Sequence, residues 1–433
     1  MLKRKIYNSL VSWKKDKDKE CLLIKGARQI GKTYIIDKFG KENYSSYIYV
    51  NFIENPNLSN IFKDSLSADE IYKKLSVFIL GIKFIEKDTL IFLDEIQACT
   101  NARSALKFLA IDNRYDVIAS GSLLGINYKE ESSIPVGYEK QMTMHALDFE
   151  EFLWAKNVDL NAIDYIKSFF INKERIDDDI NKYFLNIFRE YMVVGGMPDV
   201  VNKFIETSNF SVVHETQEKL LASYLDDIAK YAAVSEKPKT RNCYLSIPKQ
   251  LAKENRKFQY ALVESGGRAR KYKNCIEWLR DANLVNYCFN VSTPSFPLKA
   301  YEQNDCFKIY LNDIGLLIAM YGFEIKEPIL NNTLTGYAKG GIYENAIADV
   351  LIKKNIPLRY YKAERNDQEI EFLLQGNNAV IPIEVKAGNN ASISLNNFIK
   401  ENNTPYAYKF ISGNIGVSGE KITLPLYMIM FLV

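Results

Sequence analysis

The run Gly26-Ala27-Arg28-Gln29-Ile30-Gly31-Lys32-Thr33 constrains this chain more than any other feature, because it fits the spacing G-x-x-x-x-G-K-[ST]. An apolar stretch, Leu22 to Ile24, feeds the run, and a helical pattern, Thr33 to Phe39, leaves it. Glycines let backbone N–H groups turn inward around phosphates, and a following helix offers them its positive end. Lys32 then reaches the β- and γ-phosphates, and the Thr33 hydroxyl takes one Mg2+ position, with Tyr34 just behind. The same residues alone would also suit a tight turn. The neighbouring elements therefore have to carry the reading.

They do so in order. About sixty residues on, the apolar strand pattern Leu90 to Leu93 ends in Asp94-Glu95, a Walker B arrangement. Asp94 is placed to bind Mg2+, directly or through water, and Glu95 to accept a proton from an attacking water. A further buried-strand pattern, Val117 to Ala119, ends in Ser120-Gly121-Ser122. There Ser120 and Ser122 suit contact with a γ-phosphate or water, and equally suit an ordinary strand-to-loop turn. For an arginine finger the candidates are Arg28, Arg103 and Arg114, the last two reading as surface residues between two strands.

Composition narrows the chemistry. The 433 residues contain only two histidines, His145 and His214, which speaks against multi-histidine metal sites and a Ser-His-Asp triad. Six scattered cysteines form no C-x-x-C pair, so neither a zinc pattern nor a disulfide scaffold is indicated. Hydrophobic residues at 47 % and charged residues at 25 % fit a packed globular chain. Met1 to Asn8 lead into no apolar secretory core, and the final run ITLPLYMIMFLV is too short to span a bilayer. That run reads as a buried final strand. The expected setting is cytoplasmic, with no membrane partner.

Strand and helix patterns alternate up to about Trp154, the signature of a parallel sheet covered on both faces. The first helix shows Ile6, Leu10 and Trp13 on one face. Four regions follow from the patterns: an ATPase-like sheet over 1–150, a helical subdomain over 151–240, two helices and a hairpin suggesting a winged helix over 241–333, and an α/β region over 334–433. The overall class is α/β.

The segments LLIKGARQIGKT, FLDEIQ, ASGSLLG, HALDFEEFL and VVGGMPDVV together resemble a family of prokaryotic P-loop ATPases of the AAA+ superfamily. The resemblance covers most of the chain. It implies an N-terminal P-loop NTPase sheet with a helical subdomain, a winged helix, and a C-terminal restriction-endonuclease-like domain. It also implies ATP and Mg2+ as ligands. Some relatives carry Gly-Arg after the third motif, where this chain reads Val136-Gly137-Tyr138.

In the last region Glu344 falls on a helix, Glu371 on a strand, and Glu384-x-Lys386 on the next strand. Side chains alternate along a strand, so Glu369 and Glu371 share one face, as do Glu384 and Lys386. A half-exposed sheet would show the same pattern. The order helix Glu, strand acid, E-x-K also resembles the PD-(D/E)xK nuclease core, in which the acids hold Mg2+ and the lysine serves the attacking water. Glu371 departs from the usual Asp by one methylene, about 1.5 Å of reach.

Whole-chain charge is close to balanced, 56 Lys and Arg against 53 acids, but its distribution is uneven. Lys249, Lys253, Arg256, Lys257, Arg268, Arg270, Lys271 and Lys273 cluster against only Glu254 and Glu264. They are candidate DNA phosphate contacts, with Tyr260 and Tyr272 as stacking partners, or else a solvated helix face. The expectation is an ATPase whose nucleotide cycle controls a DNA-binding, nuclease-like module. Two other readings stay open: a nucleotide-switched interaction protein with an inactive platform, and an ATP-gated Mg2+-dependent DNase. Assembly into a homo-oligomer is compatible with each.

Overall fold

A computed structural model describes residues 2–16, 19–122, 137–363, 368–386, 388 and 392–432. Val136 and the Leu123-Leu124-Gly125 end of the third motif lie outside them. The chain forms two compact units, an N-terminal one over Arg4–His145 with Asp281–Asn283, and a C-terminal one holding Ala146–Arg280 and Leu284–Val433.

The N-terminal unit is built on β1 (Cys21–Lys25), β2 (Ser46–Asn51), β3 (Thr89–Asp94), β4 (Asp116–Gly121) and β5 (Glu139–Thr143). They lie in the order β2-β3-β4-β1-β5, and every pairing is parallel. Parallel neighbours need crossovers, which is why helices cover the sheet on both faces. Leu23, Ile91, Val117 and Ala119 share one core cluster with Ile71 and Leu75 of the helix Ala68–Phe78 and with Leu106 of Thr100–Asp112. On the other face Gly40 of the helix Lys32–Asn43 sits so close to Tyr47 and Leu90 that an added Cβ would fall 2.5 Å from the Tyr47 ring. In the helix Ile6–Lys15, Leu10 and Trp13 are buried, as the periodicity predicts. The strand order has one functional consequence: β4 lies between β1 and β3, so its C-terminal end stands between those of the other two.

In the C-terminal unit, helices from Phe149–Ala155 through Lys237–Leu251 are followed by the helix Ala269–Asp281 and the antiparallel hairpin of β6 (Val285–Val291) and β7 (Glu302–Leu311). Next come β8 (Arg359–Lys362), β9 (Glu369–Ile370), β10 (Phe372–Gln375), β11 (Val380–Lys386), β12 (Ala407–Ile411), β13 (Gly416–Ser418) and β14 (Lys421–Pro425). Strands β10 to β14 make a five-stranded sheet in the order β10-β11-β12-β14-β13. The hairpin joins β8 and β9 in a second sheet, β7-β6-β8-β9, so strands on either side of residue 333 share one ladder. The final apolar run corrects an expectation. It is a strand only through Pro425, after which Leu426–Phe431 turn as a buried 3-10 helix. Proline lacks the N–H that would extend the ladder.

Gly195 and Gly196, in the VVGGMPDVV segment, have a packing reason. A Cβ on Gly196 would lie 2.0 Å from the Leu147 carbonyl oxygen. The Gly196 N–H donates to Asp313 Oδ2 at 2.7 Å. Close by, Lys353 Nζ donates to Asp349 Oδ2 at 2.8 Å and to the Leu147 carbonyl at 3.0 Å, and the Tyr191 hydroxyl reaches Asp349 Oδ2 at 3.0 Å. Asp349 is fully buried, and burial pushes its carboxyl up to about 7 against the pull of Lys353.

Candidate functional site: phosphate loop and acid cluster

The loop between β1 and the helix Lys32–Asn43 turns through left-handed backbone at Gln29 (φ 62°) and Gly31 (φ 89°). Gly26 has φ 152°, and a Cβ there would stand 2.2 Å from the Met144 carbonyl oxygen, so only glycine fits. Ala27 and Ile30 are buried and anchor the loop from below, while Tyr34 is half exposed. Arg4 supports it from the side, donating to the Ile30 carbonyl at 3.1 Å.

Lys32 is folded back into this loop. Its ammonium donates to the carbonyls of Gly26 (3.0 Å) and Ala27 (2.7 Å) and to the Ser122 hydroxyl (3.1 Å). Burial lowers its pKa to about 8 against the opposing pull of Glu95 and Asp94. Asp94, 2 % exposed at the end of β3, is the hub. It accepts from Thr33 Oγ1 at 2.8 Å, from Tyr49 at 3.1 Å, and from Ser120, which sits at the end of the intervening β4. Two oxygen donors, Thr33 and Asp94, thus meet where the loop becomes a helix, a donor set that suits a hard divalent ion such as Mg2+.

Glu95 takes left-handed backbone, φ 54° and ψ 44°, unusual for glutamate and of the kind that concentrates at functional sites. Its N–H donates to Asp94 Oδ1 at 3.0 Å, and its carboxylate accepts from Gln97. Ser120 and Ser122 differ from each other in role: the first braces Asp94, the second Lys32. Tyr49 and Asn51 on β2 also reach Asp94, and nothing in the motif spacing marks them. Of the finger candidates, Arg103 is a correction. It is 1 % exposed and pairs with Glu139 of β5 at 2.9 Å, whereas Arg114 holds Asp112 and Asp69.

The C-terminal unit brings Glu344, Glu371, Glu384 and Lys386 together. Lys386 Nζ lies 3.0 Å from Glu371 Oε1 and 3.6 Å from Glu384 Oε1. Glu371 Oε2 and Glu384 Oε2 are buried without a hydrogen-bond partner. Glu344, 1 % exposed, is engaged otherwise: Arg256 binds Oε1, while Lys308 (3.4 Å) and Tyr310 (3.0 Å) bind Oε2. Lys308 also holds Glu369 at 2.6 Å. Burial raises the Glu371 carboxyl to about 7, opposed by Lys386 and reinforced by Glu344 and Glu384. Lys308 loses stability as an ammonium through burial, but Glu344 and Glu369 outweigh this and its pKa is raised. The break in the strand at Glu371, between β9 and β10, lets neighbouring acids serve two sheets. Lys308 and Tyr310 escaped the sequence reading. Their only signal was two polar positions alternating with Phe307 and Ile309 along β7.

Residues 18–153 match the family described as an AAA domain. The N-terminal unit therefore has the fold of an AAA-type P-loop ATPase. Residues 185–327 match a domain of unknown function, DUF8612, and residues 339–426 another, DUF4143. No protein of curated function matches the chain. Among solved structures the chain is similar to a Walker-type ATPase of Pyrococcus abyssi, with 12 % identity and TM-score 0.45 over 74 % of this chain and 96 % of that one. It is also similar to the Aeropyrum pernix ORC1 protein in complex with DNA (13 % identity, TM-score 0.30, 76 % and 93 % covered). A third is AMPPCP-bound DnaA from Aquifex aeolicus (12 % identity, TM-score 0.28, 64 % and 87 % covered).

Beyond the AAA-type unit, the basic residues of 249–273 are not one surface. Lys249, Lys253, Lys257, Arg268, Arg270 and Lys273 are exposed, and Lys271 is exposed but paired with Glu264. Arg256, expected among the phosphate contacts, instead turns inward to Glu344 with its side chain 14 % exposed. Tyr272 is a second correction. At 1 % exposure it belongs to the core and cannot stack on a partner, whereas the Tyr260 ring lies outside it at 6.4 Å, near parallel. Among the described residues no helix is long and apolar enough to cross a membrane.

Proposed function

We propose that this protein binds and hydrolyses ATP with Mg2+ in its N-terminal unit, and that the nucleotide cycle controls a DNA-binding, nuclease-like C-terminal module. The observation that carries the reading is the convergence of Lys32, Thr33, Asp94, Ser120 and Glu95 at the ends of three adjacent parallel strands. Backbone N–H groups from Gly26 to Thr33 and the helix start cradle the phosphates, and Lys32 leaves its loop carbonyls to meet them. Thr33 and Asp94 would hold Mg2+, which supplies charge neutralisation at the β- and γ-oxygens. Glu95 orients the attacking water and accepts its proton, with Gln97 fixing the carboxylate. Glu95→Gln tests this. The variant should bind ATP as tightly as the parent and lose nearly all turnover. Turnover that survives would remove Glu95 as the base, and a variant that keeps its cellular function with no turnover would move the reading to a switch without hydrolysis.

A second reading concerns the acid cluster. As a metal-dependent nuclease it would use Glu344, Glu371 and Glu384 as Mg2+ ligands and Lys386 at the water. Against this stands the compensation already built in: Arg256 and Lys308 face Glu344, and Lys386 faces the other two. The pairing favours a nuclease-like platform that binds without cleaving. Incubating supercoiled and linear DNA with Mg2+, ATP and either parent or Glu384→Ala protein separates the two. Cleavage by the parent alone, and only when ATP is present, would identify an ATP-gated DNase.

A further inference from the structure

The hairpin of the C-terminal unit departs from a regular ladder at one place. Phe289 pairs with Phe307, but the next residue, Asn290, pairs with Gln303. Asn304, Asp305 and Cys306 therefore bulge out of the β6–β7 register. Bulges re-aim side chains and are over-represented at sheet edges and next to active sites.

Two clefts meet at this bulge, and both are lined by Asn304 and Asp305. The first, about 220 Å³, is walled by the rings of Tyr260, Tyr287, Phe289 and Phe307. Tyr287 and Phe289 lie nearly parallel at 5.3 Å, and Tyr287 meets Phe307 edge-on at 4.7 Å. Lys273 and Arg280 stand at its rim, Arg280 5.5 Å from the centre of the Tyr287 ring. A cleft below the roughly 300–1,000 Å³ of drug-sized sites suits one planar ring. The second cleft, about 590 Å³, has a different lining: the amides of Asn255, Asn304 and Gln303, the last braced by buried Asn290, which donates to its Oε1 at 2.7 Å, and the side chains of Lys257 and Lys362.

We infer that these two clefts bind single-stranded DNA, one unpaired base stacking in the aromatic cleft while the adjoining backbone and base edge lie in the amide and lysine cleft. The inference rests on the proposal that the partner is DNA and specifies its form. The occupant follows from the combination. Aromatic walls take any base face, rim cations meet the phosphates on either side, and amides offer both donors and acceptors to a base edge. Duplex DNA buries its base faces and cannot fill the first cleft. Across the two clefts four cations, Lys257, Lys273, Arg280 and Lys362, outnumber the carboxylates of Glu277 and Asp305.

The test uses the full-length protein and a labelled oligodeoxynucleotide, single-stranded or annealed to its complement, in a binding titration. The single strand should bind more tightly than the duplex. Tyr260→Ala and Tyr287→Ala should weaken it by roughly 5- to 150-fold, and Tyr260→Phe and Tyr287→Phe should not. A strand carrying 5-iodouracil should photo-cross-link to Tyr260, Tyr287 or Phe289. Because Tyr287 also packs on Phe307, the exposed pair Lys257→Gln with Lys273→Gln provides a variant that leaves the core alone. It should lower the log–log salt slope by about 1.4, two phosphate contacts on a single strand. Equal binding of duplex and single strand with no effect of the ring variants, or an unchanged slope in the lysine pair, would overturn the inference while leaving a DNA partner in place. Failure to bind either form would overturn both.

Discussion

The Thr33 hydroxyl donates to Asp94 Oδ2 across 2.8 Å, tying the first turn after the phosphate loop to the end of β3. Both are oxygen donors, and the contact is made between residues 61 positions apart. Asp94→Asn keeps the shape but removes the negative charge that a divalent ion needs. Mg2+ should then add about 10- to 100-fold less to ATP affinity than it does in the parent. Titrations of a fluorescent nucleotide with Mg2+ and with chelator measure this, and an undiminished Mg2+ effect would remove Asp94 from the metal site.

Lys32 is expected to make nucleotide binding pH-dependent. Its amine sits at about 8 in the free loop, and phosphates favour the charged ammonium. Below that pH the proton is already in place. Above it, binding must take a proton up, so affinity should fall by up to about tenfold per pH unit. Calorimetry at pH 9 in buffers of different ionisation enthalpy should show proton uptake. Affinity that stays flat from pH 7 to pH 9.5 would contradict it.

Arg256→Ala should destabilise the C-terminal unit. Glu344 is 1 % exposed, and it would keep only Lys308 and Tyr310 as partners. Leaving a buried carboxylate under-compensated costs on the order of 3 kcal/mol. Arg256→Ala with Glu344→Gln should recover much of that loss. Thermal melting of the four proteins of this cycle gives the coupling, and additive effects would show the pair to be inconsequential.

The buried Asp349 has the opposite kind of pH effect from an ordinary ion-paired carboxylate. Its folded pKa, about 7, is above the ordinary aspartate value of 3.8, so between these values the folded state holds more protons than the unfolded one. Its contribution to stability is complete below about 3.8 and is lost as pH rises through about 7. Asp349→Asn cannot titrate. Going from pH 5 to pH 8, the parent should lose melting temperature relative to the variant, and parallel curves would argue against the assignment.

Much of the candidate nucleotide site was legible because its chemistry is local. Six backbone positions, a lysine and a threonine must follow one another to wrap a phosphate, and a strand must end in carboxylates to meet them. Tyr49 and Asn51 were not legible, since they reach Asp94 only through the side-by-side register of β2 and β3. Arg103 misled for the same reason: a charged residue in a helix reads as surface until a partner such as Glu139 is found on a distant strand.

The C-terminal unit draws the line most clearly. Glu344, Glu371, Glu384 and Lys386 could be named from alternation and order, because each strand fixes which of its own side chains share a face. What neutralises them could not. Arg256, in a stretch whose charge suggested a solvent-facing surface, and Lys308, between Phe307 and Ile309 on β7, come into the cluster only when the hairpin and the acid-bearing helix pack together. Sequence determined the phosphate cradle, the alternating strands and the candidate acids, all set by short-range geometry. Tertiary structure decided which charges are paired, which rings are buried and where the hairpin bulges, since those depend on contacts between segments that the chain itself keeps far apart.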